Sequence, residues 1–254
     1  MILVPEVTLD AAGVTPTSAS GMGKGDKPPK DKGGDQNGDH PDAGHGQAGG
    51  DAVDAGTSAP APVAAPLVVP SFWIDATEVT VASYRGCVTA GACSAPSADP
   101  GCTYGDGLEA NPVTCVTVDQ ARVFCTWMHK RLVGDDEYTA AAAGALRRPY
   151  PWGADAPDGT RLDACGSECS ASGLYSTSDG FPQTAPVASF PAGRTPEGVY
   201  DLSGNVAEWV EGTSSIARGG SFEDVLPFAV STSSSRIASA GPSVGFRCAA
   251  DLAR

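Results

Sequence analysis

The stretch Gly198-Val-Tyr-Asp-Leu-Ser-Gly-Asn-Val-Ala-Glu-Trp209 is the most informative part of this 254-residue sequence. It is typical of a tight, glycine-containing turn with one carboxylate on each side, Asp201 and Glu208. Two carboxylates at this spacing, with free backbone carbonyls between them, provide the oxygen ligands that a hard cation such as Ca²⁺ prefers. The stretch therefore predicts a calcium-binding turn.

The first 65 residues differ in composition from the rest of the chain. Gly, Asp, Ala, Pro and Lys dominate them, and they contain no aromatic residue, whereas residues 66–254 hold all four Trp and all eight Cys. A segment of the first kind cannot bury enough apolar surface to offset the entropy of ordering its backbone. We therefore expect residues 1–65 to be a disordered tether and residues 66–254 to form one folded domain.

The charge balance limits the classes of partner. The formal net charge is −14, and the sequence has no basic cluster. An acidic surface of this kind argues against binding to nucleic acid or to an anionic membrane. No apolar run reaches the length of a transmembrane helix, so we expect no direct membrane insertion of this chain.

Cysteine usage indicates an oxidising compartment. Eight cysteines in a domain of this size, an even number, favour disulfide pairing. A zinc site is the alternative, but the cysteines do not occur as two Cys-x2-Cys pairs. The N-terminal Met1-Ile-Leu-Val-Pro run is followed by Glu6 and has no cationic region, so it does not resemble a signal peptide. We expect an exported protein whose true start lies upstream, or a piece of a larger exported or membrane-tethered protein.

Local patterns predict an α+β domain with little regular secondary structure. Residues 72–80 carry the apolar and β-branched side chains of an opening strand, and a helix is expected from Val81. Thr117 and Gln120 match a capping box ahead of an apolar helical face that ends at Met128. A further helix is expected to begin at Asp135, and short strands separated by long turns follow Pro149.

Six further segments accompany the Gly198–Trp209 stretch in a recognisable order. They are Phe72-Trp-Ile-Asp-Ala-Thr-Glu-Val-Thr80, Asn111-Pro-Val-Thr-Cys-Val116, residues 121–132, Tyr150-Pro-Trp-Gly153, Arg218-Gly-Gly-Ser-Phe222 and Gly245-Phe-Arg-Cys-Ala249. Together these segments, spread over roughly 185 residues, resemble the sulfatase-modifying-factor family, the formylglycine-generating enzymes and their relatives. The resemblance implies a variant C-type-lectin-like fold whose long loops are held by disulfides and bound calcium.

The same resemblance implies two structural calcium sites. In the first, the side chains of Asp201 and Glu208 are joined by the carbonyl oxygens of Gly204 and Val206. The second maps to the side chains and carbonyls of Asp163, Ala164, Asp179 and Phe181. A ligand that binds only the native state stabilises long loops of this kind.

The family's catalytic cysteines have no counterpart here. Formylglycine-generating enzymes carry two cysteines between their Arg-Gly-Gly-Ser and Gly-Phe-Arg-Cys segments, which bind copper and activate oxygen to oxidise a substrate cysteine. The corresponding positions in this chain are Pro227 and Thr232. Neither side chain is a thiolate ligand for Cu(I), so copper is not expected. The Ser231–Ser235 run lacks a nearby general base and is expected to be a polar turn or strand face.

Disulfide pairing can be inferred only in part. The resemblance implies a bridge between Cys125 and Cys248, which would close a long loop. Cys165 and Cys169 are close enough in sequence to bridge locally. The other four cysteines, Cys87, Cys93, Cys102 and Cys115, allow three connectivities that the sequence does not separate.

Two hypotheses for function follow. The first is a non-catalytic, calcium-stabilised, lectin-like module that is secreted, periplasmic or surface-tethered and binds a peptide, glycan or protein partner. The alternative is an oxidase that generates formylglycine in sulfatases. The missing thiolate pair favours the first, because a fold hosts many functions and activity depends on the site residues.

Overall fold

Short strands and three helices, connected by long turns, make up the part of the chain that the structure describes. The structure is a computed structural model, and the described residues are 1–9, 66–105, 107–167, 169, 172–212, 215–227 and 230–252. The helices are α1 (Val81–Thr89), α2 (Val118–Trp127) and α3 (Asp135–Ala143), with a 3₁₀ turn at Pro191–Gly193. The strands are β1 (Ile2–Val4), β2 (Val7–Leu9), β3 (Leu67–Val69), β4 (Phe72–Ile74), β5 (Arg131–Leu132), β6 (Ala207–Trp209), β7 (Ile216–Arg218), β8 (Ser235–Ile237), β9 (Val244–Phe246) and β10 (Cys248–Asp251). This mixed helix and sheet architecture agrees with the α+β prediction.

The first sheet joins both ends of the described chain. Its strand order is β1-β4-β10-β5, and every neighbouring pair is antiparallel. In β4 the Phe72 and Ile74 side chains are buried while Trp73 between them is exposed, which is the alternation expected of a half-buried strand. The buried face of this sheet packs with α3 residues in one apolar cluster.

The N-terminal boundary of the folded unit differs from the sequence prediction. Residues 2–9 do not belong to a tether, because β1 pairs with β4, and β2 pairs with β3 through Leu9 opposite Leu67. Val4 and Val7 are buried in the core. The average composition of residues 1–65 concealed this short β-branched and apolar run, which gains stability from partner strands distant in sequence. The rest of the predicted tether, residues 10–65, lies outside the described residues.

The helices begin where the sequence predicts. The Thr117 hydroxyl accepts a hydrogen bond from the Gln120 backbone N–H, and the Gln120 side chain accepts one from the Thr117 N–H, so the capping box is complete. Ala121, Phe124 and Cys125 are buried as predicted, but Met128 is 40% exposed. Because α2 ends at Trp127, Met128 lies beyond the helical face that the spacing had assigned to it.

The second sheet positions the informative turn. Its order is β8-β7-β6-β9, with β6 and β9 parallel and the other pairs antiparallel. All three residues of β6 are buried, and Glu208 lies opposite Gly245 on one side and Arg218 on the other. This central placement puts Glu208 in the protein interior, directly after the 198–206 turn.

Four disulfides connect the loops. Cys125 is bonded to Cys248, as the resemblance implies, and this bridge closes a sequence separation of 123 residues. Cys165 is bonded to Cys169. The connectivity left open by the sequence is resolved as Cys87–Cys93 and Cys102–Cys115. The Cys125–Cys248 bridge connects α2 to β10. The Cys102–Cys115 bridge connects the two ends of the 102–115 loop.

The helices α1, α2 and α3 are short, with 9, 10 and 9 residues. Among the residues that the structure describes, no helix combines the length and the apolarity needed to cross a bilayer.

Candidate metal centre

The 201–205 turn has an unusual backbone that explains its sequence. Asp201, Gly204 and Asn205 all have positive φ angles, of 55°, 79° and 57°. At Gly204 a Cβ atom would also collide with the carbonyl oxygen of Asp163. Glycine is therefore required at this position for both its left-handed conformation and the close approach of a second backbone.

Asn205 connects this turn to three other segments. Its backbone N–H donates to the Asp163 carbonyl at 2.8 Å, and its Nδ2 donates to Glu78 Oε1 at 3.1 Å. Its Oδ1 accepts from the Ala185 N–H at 3.1 Å. The sequence reasoning did not single out Asn205 or Glu78, although both lie in quoted motifs. Their role depends on contacts across 127 residues of sequence, which local spacing does not reveal.

Glu208 forms a fully buried ion pair with Arg247. The guanidinium donates from Nε to Glu208 Oε2 at 2.6 Å and from Nη2 to Oε1 at 2.7 Å, and both side chains are 0% exposed. Arg247 also donates to the carbonyl oxygens of Tyr200 and Asp75. A buried bidentate pair with its remaining donors satisfied holds both charges in one geometry.

A second pair of carboxyl groups, Glu78 and Asp201, lies beside this ion pair. Burial raises the pKa of Glu78 well above its ordinary value, and the charge of Asp201 raises it further. Burial also raises the pKa of Asp201, whose carboxyl interacts directly with that of Glu78 while Oδ2 accepts from the Ala188 N–H at 2.6 Å. Glu78 is 2% exposed, and its Oε2 has no hydrogen-bond partner within the described part of the chain. Two adjacent buried carboxyl groups require either a proton or a cation between them.

The buried cluster thus contains three carboxyl groups, those of Glu78, Asp201 and Glu208, and one guanidinium, that of Arg247. If all four groups were ionised, the cluster would carry two uncompensated negative charges, which one divalent cation would neutralise. The described residues contain no group of three or more His, Cys, Asp or Glu side chains placed to bind a metal ion, and this holds for the present cluster as well. The sequence predicted Glu208 as a side-chain ligand, but both of its carboxylate oxygens accept from Arg247. A cation at this turn would therefore need the predicted backbone carbonyl oxygens of Gly204 and Val206 together with the Asp201 carboxylate. Glu78 Oε2 is a buried oxygen without a hydrogen-bond partner here, and oxygen-only donors are the ligand type that Ca²⁺ prefers.

The residues of the second predicted calcium site are arranged around a tyrosine. The Tyr175 hydroxyl lies 2.5 Å from Asp179 Oδ2 and 2.9 Å from the Ala164 carbonyl oxygen. Asp179 Oδ1 accepts from the Phe181 N–H at 2.8 Å. Asp163 is directed elsewhere, since its Oδ2 accepts from the Ala185 N–H at 2.8 Å. The structure brings Ala164 and Asp179 together, but through a side chain that the sequence analysis had not considered.

The two positions that the sequence analysis aligned with catalytic cysteines have different environments. Pro227 is exposed, whereas Thr232 is buried. The Thr232 hydroxyl donates to the Arg148 carbonyl at 2.7 Å and its N–H donates to the Pro149 carbonyl at 2.9 Å. All eight cysteines of the chain are in disulfides. Thr232 therefore has a structural role, because its two hydrogen bonds join its own loop to residues 148–149.

A scan against protein-family models decides the family. The model described as "Sulfatase-modifying factor enzyme 1-like domain" matches residues 42–252 of this chain. The chain belongs to this family. In this sulfatase-modifying-factor domain, the 198–209 stretch and the Cys125–Cys248 bridge occur where the resemblance placed them.

Curated relatives include both inactive and active members. The chain is 33% identical over 177 residues to "Inactive C-alpha-formylglycine-generating enzyme 2" of Bos taurus, covering 62% of this chain and 56% of the relative. It is 29% identical over 173 residues to "Formylglycine-generating enzyme" of Mus musculus, covering 56% of this chain and 44% of the relative. The sulfatase-modifying-factor domain thus spans about half the length of the curated relatives it matches.

Solved structures support the fold. PvdO from Pseudomonas aeruginosa superimposes with a TM-score of 0.57 at 24% identity, covering 75% of this chain and 85% of PvdO. Treponema denticola variable protein 1 gives a TM-score of 0.53 at 18% identity, covering 74% of this chain and 88% of that protein. At these identities the likeness concerns the fold of the sulfatase-modifying-factor domain and not its activity.

Proposed function

We propose that this chain is a non-catalytic, calcium-stabilised binding module with a C-type-lectin-like fold, which acts outside the cytoplasm. The observation that carries the proposal is the state of its cysteines. All eight are consumed in disulfides, and the two positions that correspond to catalytic cysteines hold Pro227 and Thr232. Oxidation of a substrate thiol through Cu(I) requires soft thiolate ligands, and the chain offers none at these positions.

Two of the relatives are compatible with a non-catalytic role. The Bos taurus and Mus musculus relatives at 33% and 32% identity are both named as inactive members of the formylglycine-generating enzyme family. A family that includes inactive members has retained the fold for a purpose other than the oxidation.

The four disulfides support a location in an oxidising compartment. Disulfides persist in secreted, periplasmic and cell-surface proteins and are rare in the reducing cytosol. They hold together a unit whose strands have two to four residues each, so that long loops carry much of the structure. The same features support the C-type-lectin-like description.

A cavity beside β3 supports a binding role. It has a volume of 580 Å³ and lies between β3, β5 and the start of α3. Its apolar lining includes Leu67 and Val69, and its polar lining includes Asp136 and Glu211. Cavities of this size and mixed lining commonly hold small ligands or side chains of a bound peptide.

The absence of oxidase activity is directly testable. We expect the purified protein, supplied with Cu(I) and oxygen, to leave a Cys-x-Pro-x-Arg peptide unmodified, because no thiolate pair exists between Phe222 and Gly245. Mass spectrometry of the peptide measures the conversion, with an active formylglycine-generating enzyme as the positive control. Formation of the aldehyde by this protein would refute the non-catalytic proposal.

Calcium at the 201–205 turn is expected to stabilise the fold. Saturation at 100 times the dissociation constant adds about 2.7 kcal/mol. For a domain of this size that corresponds to a rise in melting temperature of about 5–10 °C over the protein in EDTA. Asp201→Asn should abolish this difference, because it removes a ligand charge from the site.

The matched control is Asp119→Asn, since Asp119 is 84% exposed and remote from the turn in sequence. This variant should retain the full calcium-dependent shift. Equal melting temperatures of the parent protein in calcium and in EDTA would contradict the calcium proposal.

A further inference from the structure

The region of the second expected calcium site contains a side chain that competes with an ion for the same space. The Tyr175 hydroxyl oxygen contacts three acceptor oxygens, at 2.5 Å from Asp179 Oδ2, 2.9 Å from the Ala164 carbonyl and 3.2 Å from the Leu162 carbonyl. It also accepts a hydrogen bond from the Ala164 N–H at 3.1 Å. The hydroxyl is therefore surrounded by the oxygens that a cation at this site would use.

We propose that the Tyr175 hydroxyl takes the place of the second calcium ion, so that this chain stabilises the 163–181 region with a hydrogen-bonded phenol and not with a metal. Calcium binds its oxygen ligands at 2.3–2.6 Å. An ion placed between the Ala164 carbonyl and Asp179 would collide with the hydroxyl oxygen, which already lies within hydrogen-bonding distance of both. The ion and the phenol exclude each other.

The environment of the phenol holds it in place. Tyr175 is buried, and its ring lies in the apolar cluster of Leu162, Ala164 and Val230. Its hydroxyl donates to the Asp179 carboxylate, and this hydrogen bond replaces part of the stabilisation that an ion would supply.

Two further carboxylate oxygens of the expected ligand set accept hydrogen bonds from backbone N–H groups. Asp179 Oδ1 accepts from the Phe181 N–H, and Asp163 Oδ2 accepts from the Ala185 N–H. The Asp163 carbonyl accepts from the Asn205 N–H. These contacts hold the loop around Tyr175 without a metal, and the Asn205 contact joins it to the 201–205 turn.

The first test of this proposal counts bound ions. Calcium ions per chain are counted by native mass spectrometry at limiting calcium for the parent, Asp179→Asn and Asp201→Asn proteins. We expect Asp179→Asn to bind as many ions as the parent, and Asp201→Asn to bind one fewer. A count lowered by Asp179→Asn, or two ions in the parent, would overturn the proposal. A parent count of zero would instead defeat the calcium proposal for the 201–205 turn.

The second readout is stability. Tyr175→Phe removes only the hydroxyl, so its melting temperature should fall by several degrees in EDTA, and by no more than that in calcium. The matched control is Tyr150→Phe, whose ring packs against the same cluster, and which should change the melting temperature less. A Tyr175→Phe loss that appears only in calcium, or one no larger than that of Tyr150→Phe, would overturn the proposal.

Discussion

Replacing Arg247 with methionine is expected to lower the free energy of unfolding by about 3–5 kcal/mol. The substitution keeps the side-chain volume similar but leaves Glu208 without its guanidinium partner, in a buried cluster that also contains Glu78 and Asp201. At about 2–4 °C per kcal/mol for a domain of this size, the melting temperature should fall by about 6–20 °C. Thermal unfolding in EDTA measures the effect without a contribution from calcium.

An exposed ion pair provides the control for this substitution. Arg122 pairs with Glu211 at 2.9 Å, but the two side chains are 37% and 49% exposed. Arg122→Met should therefore cost about 1 kcal/mol or less. The double variant Glu208→Leu/Arg247→Met should recover part of the loss, because it removes both buried charges. If Arg247→Met is no more harmful than Arg122→Met, the buried pair is not what holds this region together.

Removing the Cys125–Cys248 bridge is expected to have an effect of similar size. In the chain-entropy model, closing a loop over a separation of 123 residues stabilises the native state by about 5 kcal/mol. The double substitution Cys125→Ala/Cys248→Ala should lower the free energy of unfolding by about that amount, measured by denaturant unfolding with the slope fitted freely.

The bridge between Cys165 and Cys169 gives the comparison within the same molecule. Its sequence separation is only 4 residues, so the same model gives about 2 kcal/mol for Cys165→Ala/Cys169→Ala. Equal losses in the two double variants would show that loop length does not determine the contribution of these bridges. The long bridge would then matter through local packing in the core around Cys125 and Cys248.

Sequence patterns predicted the parts of the fold that depend on residues close together in the sequence. The capping box at Thr117 and the helix that begins at Asp135 are determined by side chains within one turn of the helix start, and both occur as predicted. The Cys125–Cys248 pairing came from the family resemblance, which carries long-range information that local patterns lack. The short run at residues 2–9 was missed because its strand partners are far away in the sequence.

The residues of the candidate site also fall into two groups, those that local sequence predicts and those that only the tertiary structure brings together. Asp201 and Glu208 could be found from their spacing, since both lie in the 198–209 stretch. Glu78 and Arg247 could not be assigned to the same cluster, because only tertiary structure brings them to Asp201 and Glu208. Tyr175 is a further case, since its proximity to Ala164 and Asp179 depends on how an irregular loop folds back.

The pairing of Leu9 with Leu67 has a consequence for the long acidic segment between them. Paired residues of antiparallel strands have Cα atoms about 5 Å apart. The segment therefore begins and ends at neighbouring points, as an insertion between two hydrogen-bonded strands. Its two ends stay paired whatever its length, so lengthening or shortening it does not change the separation between the strands that flank it.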